Sequence, residues 1–89
     1  MRIDEPGVYR VILRSDDGSR LSIDGEGVVN NDGLHAAVER ESLIALGEGW
    51  HAISVEWFNR TGGAELSVRL GRVDAEARAI APDRLRSRN

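Results

Sequence analysis

Asp16 and Asp17 place two adjacent carboxylates between two apolar-alternating runs, in the segment Ser15-Asp16-Asp17-Gly18-Ser19. Neighbouring side chains on a regular strand point to opposite faces, so an ordinary extended backbone keeps the two acids apart. A cis linkage would swing both to one side, where they can chelate a hard cation. Outside proline such a linkage costs about 3–4 kcal/mol, and calcium, which takes about 6–8 oxygen ligands, is a sufficient compensator. The other reading is a plain Asp-Asp-Gly turn, with an aspartate bonding its own backbone and glycine at positive φ. Spacing leaves both open, and the metal reading gains weight from any further oxygen-rich loop nearby. Asn59-Arg60-Thr61-Gly62-Gly63 is one, with an amide oxygen and carbonyls that its glycines leave accessible. Asn30-Asn31-Asp32-Gly33 is a second, without the Asp-x-Asp-x-Asp-Gly spacing of a helix–loop–helix calcium site.

Other chemistries find less support. His35 and His51 are not spaced as a metal pair, and no cysteine accompanies them. His51 falls on the apolar face of a strand, where a buried, hydrogen-bonded histidine is expected, and His35 falls in a loop from which it can meet a ligand or the neighbouring sheet. Ser15, Ser19, Ser22 and Ser54 have no nucleophile-elbow context, and no nucleophile–base arrangement can be named, so no enzyme is expected. Asp16 and Asp17 are poorly placed, as sequence neighbours, to flank a glycosidic bond. Trp50, Trp57 and Phe58 can each offer an aromatic face to a sugar ring. Core packing is the expectation for Trp57, and Phe58, pointing the other way beside the Asn59 loop, is the aromatic expected to be exposed.

The elements that must position these groups are strands. Glu5-Pro6-Gly7 is a turn signal. Tyr9, Val11 and Leu13 then alternate with Arg10, Ile12 and Arg14, a strand with one buried face. Leu21 and Ile23 begin a second strand, Asp24-Gly25-Glu26-Gly27 is a tight hairpin turn, and Val28-Val29 form a third. Residues 34–41 read as a loop running into a strand that holds Leu43, Ile44, Ala45 and Leu46. Trp50 to Phe58 reads as one continuous strand with His51, Ile53, Val55 and Trp57 on one face. Ala64, Leu66, Val68 and Leu70 alternate in the last clear strand. Asp74 to Ala79 has helical composition without a cap, Pro82 opens a single turn, and Arg86 to Asn89 reads as a frayed end. Short strands with glycine-rich turns at about 8–12-residue spacing indicate an antiparallel sandwich or barrel.

Bulk properties bound the possibilities. The 89 residues suit one small domain, 40% hydrophobic, with a formal net charge of −3 and no cysteine. There is no basic patch interleaved with aromatics, so no nucleic-acid partner is expected. No apolar run reaches the ~18 residues of a membrane span. The start, Met1-Arg2-Ile3-Asp4-Glu5-Pro6, is not a signal peptide, which fits either a cytosolic chain or a mature or excised domain with a start methionine.

The run from Gly7-Val8-Tyr9 through Arg14-Ser15-Asp16-Asp17-Gly18 to Ile23-Asp24-Gly25 resembles the core signature of the protective-antigen-type, or PA-fourteen, domain family, related to the GLEYA adhesin lectins. Asn31-Asp32-Gly33-Leu34-His35, Gly49-Trp50-His51 through Trp57-Phe58-Asn59, Ala64 to Val68 and Ile80-Ala81-Pro82 continue the resemblance in order. It implies an all-β, jelly-roll-like antiparallel β-sandwich over residues 3–86, followed by a tail at 87–89. It also implies a non-catalytic, calcium-dependent carbohydrate-binding module on a secreted or cell-surface protein. In this resemblance Asp16 and Asp17 match an Asp-Asp pair that holds calcium, and Asn59 matches an asparagine from a later loop. Thr61 and Gly63 join through carbonyls, and Phe58, Arg60, Asp32 and His35 complete the expected sugar contacts. The family usually carries further strands before Gly7, where this chain has only Met1 to Asp4 as a stub. A sandwich short of strands leaves apolar surface and unpaired edges, so the competing expectation is an interaction module that forms a homo-oligomer without a sugar ligand.

Overall fold

The computed structural model describes residues 1–16, 18–31, 38–58 and 66–88. Among these described residues ten strands run in the order β1 (Arg2–Ile3), β2 (Gly7–Ser15), β3 (Ser19–Ile23), β4 (Glu26–Asn31), β5 (Val38–Leu46), β6 (Gly49–Trp50), β7 (Ile53–Phe58), β8 (Leu66–Arg72), β9 (Arg78–Ala79) and β10 (Arg84–Arg88). They form two four-stranded sheets, ordered β10-β7-β3-β4 and β5-β2-β8-β9, with β1 and β6 as a separate ribbon. The expected all-β sandwich is what the chain adopts.

Alternation explains the layers. On β2, Tyr9, Val11 and Leu13 point inward and are buried. Leu21 and Ile23 of β3, Val29 of β4, Ile53 and Val55 of β7 and Val68 of β8 meet them from both sheets, with Ile3 and Leu46 closing one end. Each such side chain contributes about 1.5–3 kcal/mol when fully buried. Ile12 faces outward from β2 and is nonetheless 5% exposed. Arg69 stands beside it on β8 and reaches over β2 to Glu39 of β5 at 2.5 Å, so its aliphatic stem roofs the isoleucine.

The β3–β4 connection is a two-residue hairpin, Asp24-Gly25, within the turn expected over Asp24-Gly25-Glu26-Gly27; Glu26 and Gly27 already belong to β4. Ile23 pairs with Glu26, and Asp24 and Gly25 take φ of 53° and 83°. Positive φ at both central residues is the type I′ geometry that matches strand twist. A register shift between Leu21 and Ser22 lets both valines of β4 pack on the core.

Four expectations are corrected. Asn30 and Asn31 are not loop: both pair within β4, opposite Arg20 and Ser19, and Asn31 is buried. The Trp50–Phe58 segment is not one strand but β6 and β7, interrupted at His51-Ala52. The ladder stops there because side chains take over its donors. The Asp24 carboxylate accepts from Ala52 N at 2.9 Å, and the Asp83 carboxylate accepts from Ile53 N at 2.7 Å. His51 therefore leaves the apolar face on which Ile53, Val55 and Trp57 remain. Residues 74–79 form a turn and the short β9 rather than a helix. Finally, Arg86, Ser87 and Arg88 are not frayed: β10 runs parallel to β7, with Arg84 opposite Ser54 and Arg88 opposite Phe58.

Outer strand β5 is long, with nine residues. Glu39, Arg40 and Glu41 put charges along it, a device that discourages pairing with a further strand.

Candidate functional site

The strand ends decide which loops can act together. On one sheet, Ser15 at the end of β2 lies opposite Val38 at the start of β5 and Leu66 at the start of β8. On the other, Ser19 at the start of β3 lies opposite Asn31 at the end of β4 and Trp57 near the end of β7. All six strand ends lie at one end of the sandwich. The segments 16–18, 32–37 and 59–65 therefore leave from, and return to, that same end.

The floor at this end of the sandwich is polar and buried. The hydroxyls of Ser15 and Ser19 lie 2.6 Å apart and join the two sheets. The Asn31 amide donates to the Ser15 hydroxyl at 3.4 Å and to the Leu13 carbonyl at 3.5 Å. All three side chains are essentially inaccessible to solvent. A buried hydroxyl or amide left unpaired costs about 1–3 kcal/mol, so such a cluster fixes the ends of β2, β3 and β4 to one another. Asp16 stands on this floor. Its carbonyl accepts from the Trp57 indole N–H at 3.2 Å, and the Trp57 ring packs against the core, as expected for it.

Among the candidate residues, Asp16 alone is described with its side chain: it is half-buried, and no described side chain is paired with its carboxylate. Asp17, Asp32, His35, Asn59, Arg60, Thr61 and Gly63 lie outside the described residues. Phe58 closes β7, and its side chain also lies outside them. Among the described residues, no group of three histidine, cysteine, aspartate or glutamate side chains converges on a metal position, and no peptide bond is cis.

The sequence from residue 1 to residue 84 matches the model of the PA14 domain. The chain belongs to the PA14 domain family. No curated protein and no solved structure matches it. PA14 domains are carbohydrate-binding and adhesion-type modules, largely non-catalytic, and typically occur in extracellular or surface proteins. Among the described residues of this PA14 domain no helix is long and apolar enough to cross a membrane.

The opposite end of the PA14 domain holds groups that sequence reasoning did not connect. His51 Nδ1 is 2.6 Å from Asp24 Oδ2, and His51 Nε2 is 2.8 Å from the Gly47 carbonyl. The Gly47 carbonyl, then the Asp24 carboxylate, raise the His51 pKa above its ordinary 6.5. The histidine, then the Ala52 amide, hold Asp24 below its ordinary 3.8. Asp83 is held low by the Ile53 amide first. Trp50 is 75% exposed, with the Arg2 guanidinium 5.8 Å from its ring centroid. Gly7, at the start of β2, pairs with Leu46, so Trp50 is separated from Asp16 by the whole length of β2, about 25 Å at strand rise. Trp50 thus does not share a site with Asp16. The clue to the Asp24–His51 pair was an aspartate at the first position of an I′ turn, a residue type that tolerates positive φ and whose side chain is free to reach outward.

Proposed function

We propose that this PA14 domain is a non-catalytic carbohydrate-binding module whose ligand end is the one carrying Asp16, and that calcium held by Asp16, Asp17 and Asn59 takes part in recognition. The observation that carries the reading is that the strand ends leading to and from residues 17, 32–37 and 59–65 lie at one end of the sandwich, beside the buried Ser15–Ser19–Asn31 cluster. The donor set is hard oxygen throughout, which suits calcium and not a thiophilic metal. Bound calcium would supply open coordination positions for vicinal hydroxyls of a sugar. The chain's own part is to hold Asp16 in place, through the Trp57 indole and the serine–asparagine floor. Phe58, Arg60, Thr61, Gly63, Asp32 and His35 are the proposed contributors around it. The setting proposed is the cell exterior, as a module of a secreted or surface protein. Affinity per site would be weak, with avidity from several copies.

Calorimetry with calcium alone, and then with simple hexoses with and without a chelator, tests this. The expected result is calcium binding by the wild-type chain, hexose binding only with calcium present, and loss of both in Asp16→Ala and in Asp17→Ala. Sugar binding that ignores the chelator, or no calcium affinity, rejects the mechanism.

A further inference from the structure

The outer face of the β10-β7-β3-β4 sheet is separate from the end that carries Asp16. Its side chains form two rows across the strands. Arg84, Ser54 and Ser22 are in register in one row, and Arg86, Glu56 and Arg20 in the next. Beyond Ser22 the first row continues to Gly27 on β4. Small residues thus make a low polar floor, and guanidinium groups stand over one side and one end. The depression lined by Arg20, Ser22, Ser54, Glu56, Arg84 and Arg86 measures about 340 Å³. A second hollow of about 430 Å³ shares Arg20 and Ser22 and extends past Gly27 and Asn30. Four strands at about 4.8 Å spacing give the trough a length of about 14 Å.

Charge is what selects the occupant. The chain as a whole is acidic, at −3, yet the lining of this trough holds three arginines against one glutamate. Arg20 and Glu56 already have interactions within the protein. Arg84 and Arg86 are exposed and form no ion pair with the described residues. Two planar five-donor forks, two residues apart on one strand, are suited to carboxylate or sulfate oxygens. The hydroxyls of Ser22 and Ser54 beside them offer both donor and acceptor to neutral hydroxyl groups. A neutral sugar would leave the two arginines unanswered, and a bare anion would leave the serine floor unused.

We propose that this trough binds an acidic saccharide, a sugar chain bearing carboxylate or sulfate groups, with Arg84 and Arg86 holding the anionic oxygens and Ser22 and Ser54 facing the ring hydroxyls. The choice of a saccharide over another polyanion rests on the carbohydrate-binding character of the family. The site itself uses no calcium, so its test is run in chelator, where the Asp16 end is silent.

The full chain is titrated, in chelator at low ionic strength, with sulfated oligosaccharides, oligogalacturonate, neutral dextran oligomers and poly-glutamate. Binding of the sulfated or the uronate oligomer, stronger than that of dextran and of poly-glutamate, is expected. The sulfated and uronate arms tell which acid the trough prefers. Arg84→Gln with Arg86→Gln should weaken binding by about tenfold or more and flatten its salt dependence. Arg2→Gln with Arg78→Gln removes the same charge elsewhere and should change affinity less than about threefold. Arg84→Gln alone, with an unchanged melting curve, should give an intermediate loss. No binding of either acidic saccharide, equal binding of poly-glutamate, or equal losses in the two double variants would overturn the proposal.

Discussion

The imidazole of His51 bridges the Asp24 carboxylate, at 2.6 Å, and the Gly47 carbonyl, at 2.8 Å. Both partners are acceptors, and only the doubly protonated ring can donate to both. The pair joins residues 27 apart in sequence and clasps the β3–β4 turn to the break between β6 and β7. Asp24 completes the clasp through its backbone, donating from N to the Ala52 carbonyl at 2.8 Å.

This clasp makes stability depend on pH. The folded His51 pKa is raised, so its contribution is complete below the ordinary value of 6.5 and is lost as pH rises through the folded value. The folded Asp24 pKa is lowered, so its contribution is complete above the ordinary 3.8 and is lost as pH falls through the folded value. Melting temperature should therefore be highest between about pH 4 and about pH 6.5 as far as this pair is concerned. It should fall as pH rises above about 6.5 in the wild type and fall less steeply in His51→Gln. Parallel slopes in the two proteins would show that the pair does not control the profile.

The serine bridge between the sheets predicts coupled losses. Ser15→Ala and Ser19→Ala should each destabilise by about 1–3 kcal/mol, because each leaves a buried hydroxyl without this partner. The double variant should cost less than the sum, by about 0.5–1.5 kcal/mol. Chemical denaturation of the four proteins measures the cycle, and strict additivity would mean that the 2.6 Å contact carries no net energy.

Gly71 is a close-approach position. A Cβ there would meet the Glu76 carbonyl oxygen at 2.7 Å and the Ala77 Cα at 2.8 Å, both backbone atoms that cannot swing aside. Gly71→Ala should cost about 1–3 kcal/mol. Gly27→Ala, where a Cβ would meet nothing within 4 Å, should change stability by less than about 1 kcal/mol. Urea midpoints that fail to separate the two would contradict the packing described between β8 and the turn before β9.

Arg69 should matter for more than its charge. Its pair with Glu39 is an exposed one, a class worth about 0–1 kcal/mol, while its stem covers Ile12. Arg69→Ala should destabilise more than Glu39→Gln, and Arg69→Met should recover part of the difference by restoring apolar cover. Equal denaturation midpoints for Arg69→Ala and Arg69→Met would remove the roofing role.

Strand existence was legible in the sequence wherever one face is apolar and the other polar. Tyr9, Val11 and Leu13 on β2, Leu21 and Ile23 on β3, and Val68 on β8 turn inward as their alternation requires. The Asp24-Gly25 hairpin was legible because an I′ turn demands residues that accept positive φ. The order of these segments also carried the family, and with it the choice of Asp16 and its neighbours as the candidate site. Of that site the structure adds the support beneath Asp16 and the shared origin of its loops.

Tertiary structure alone decided what depends on partners distant in the chain. Alternation reports which face is buried, but not which strand lies alongside. Parallel pairing of Arg84–Arg88 with β7, from a segment in which Arg84 and Arg86 are exposed, left no periodic mark. The break at His51-Ala52 was hidden because two carboxylates, Asp24 and Asp83, take backbone donors that a strand partner would otherwise have used. Asn31, polar by type, became core because Ser15 and Leu13 were brought within its reach. The arginine trough arose in the same way: β3, β7 and β10 are scattered along the sequence, and only their register puts Arg20, Glu56, Arg84 and Arg86 on one face.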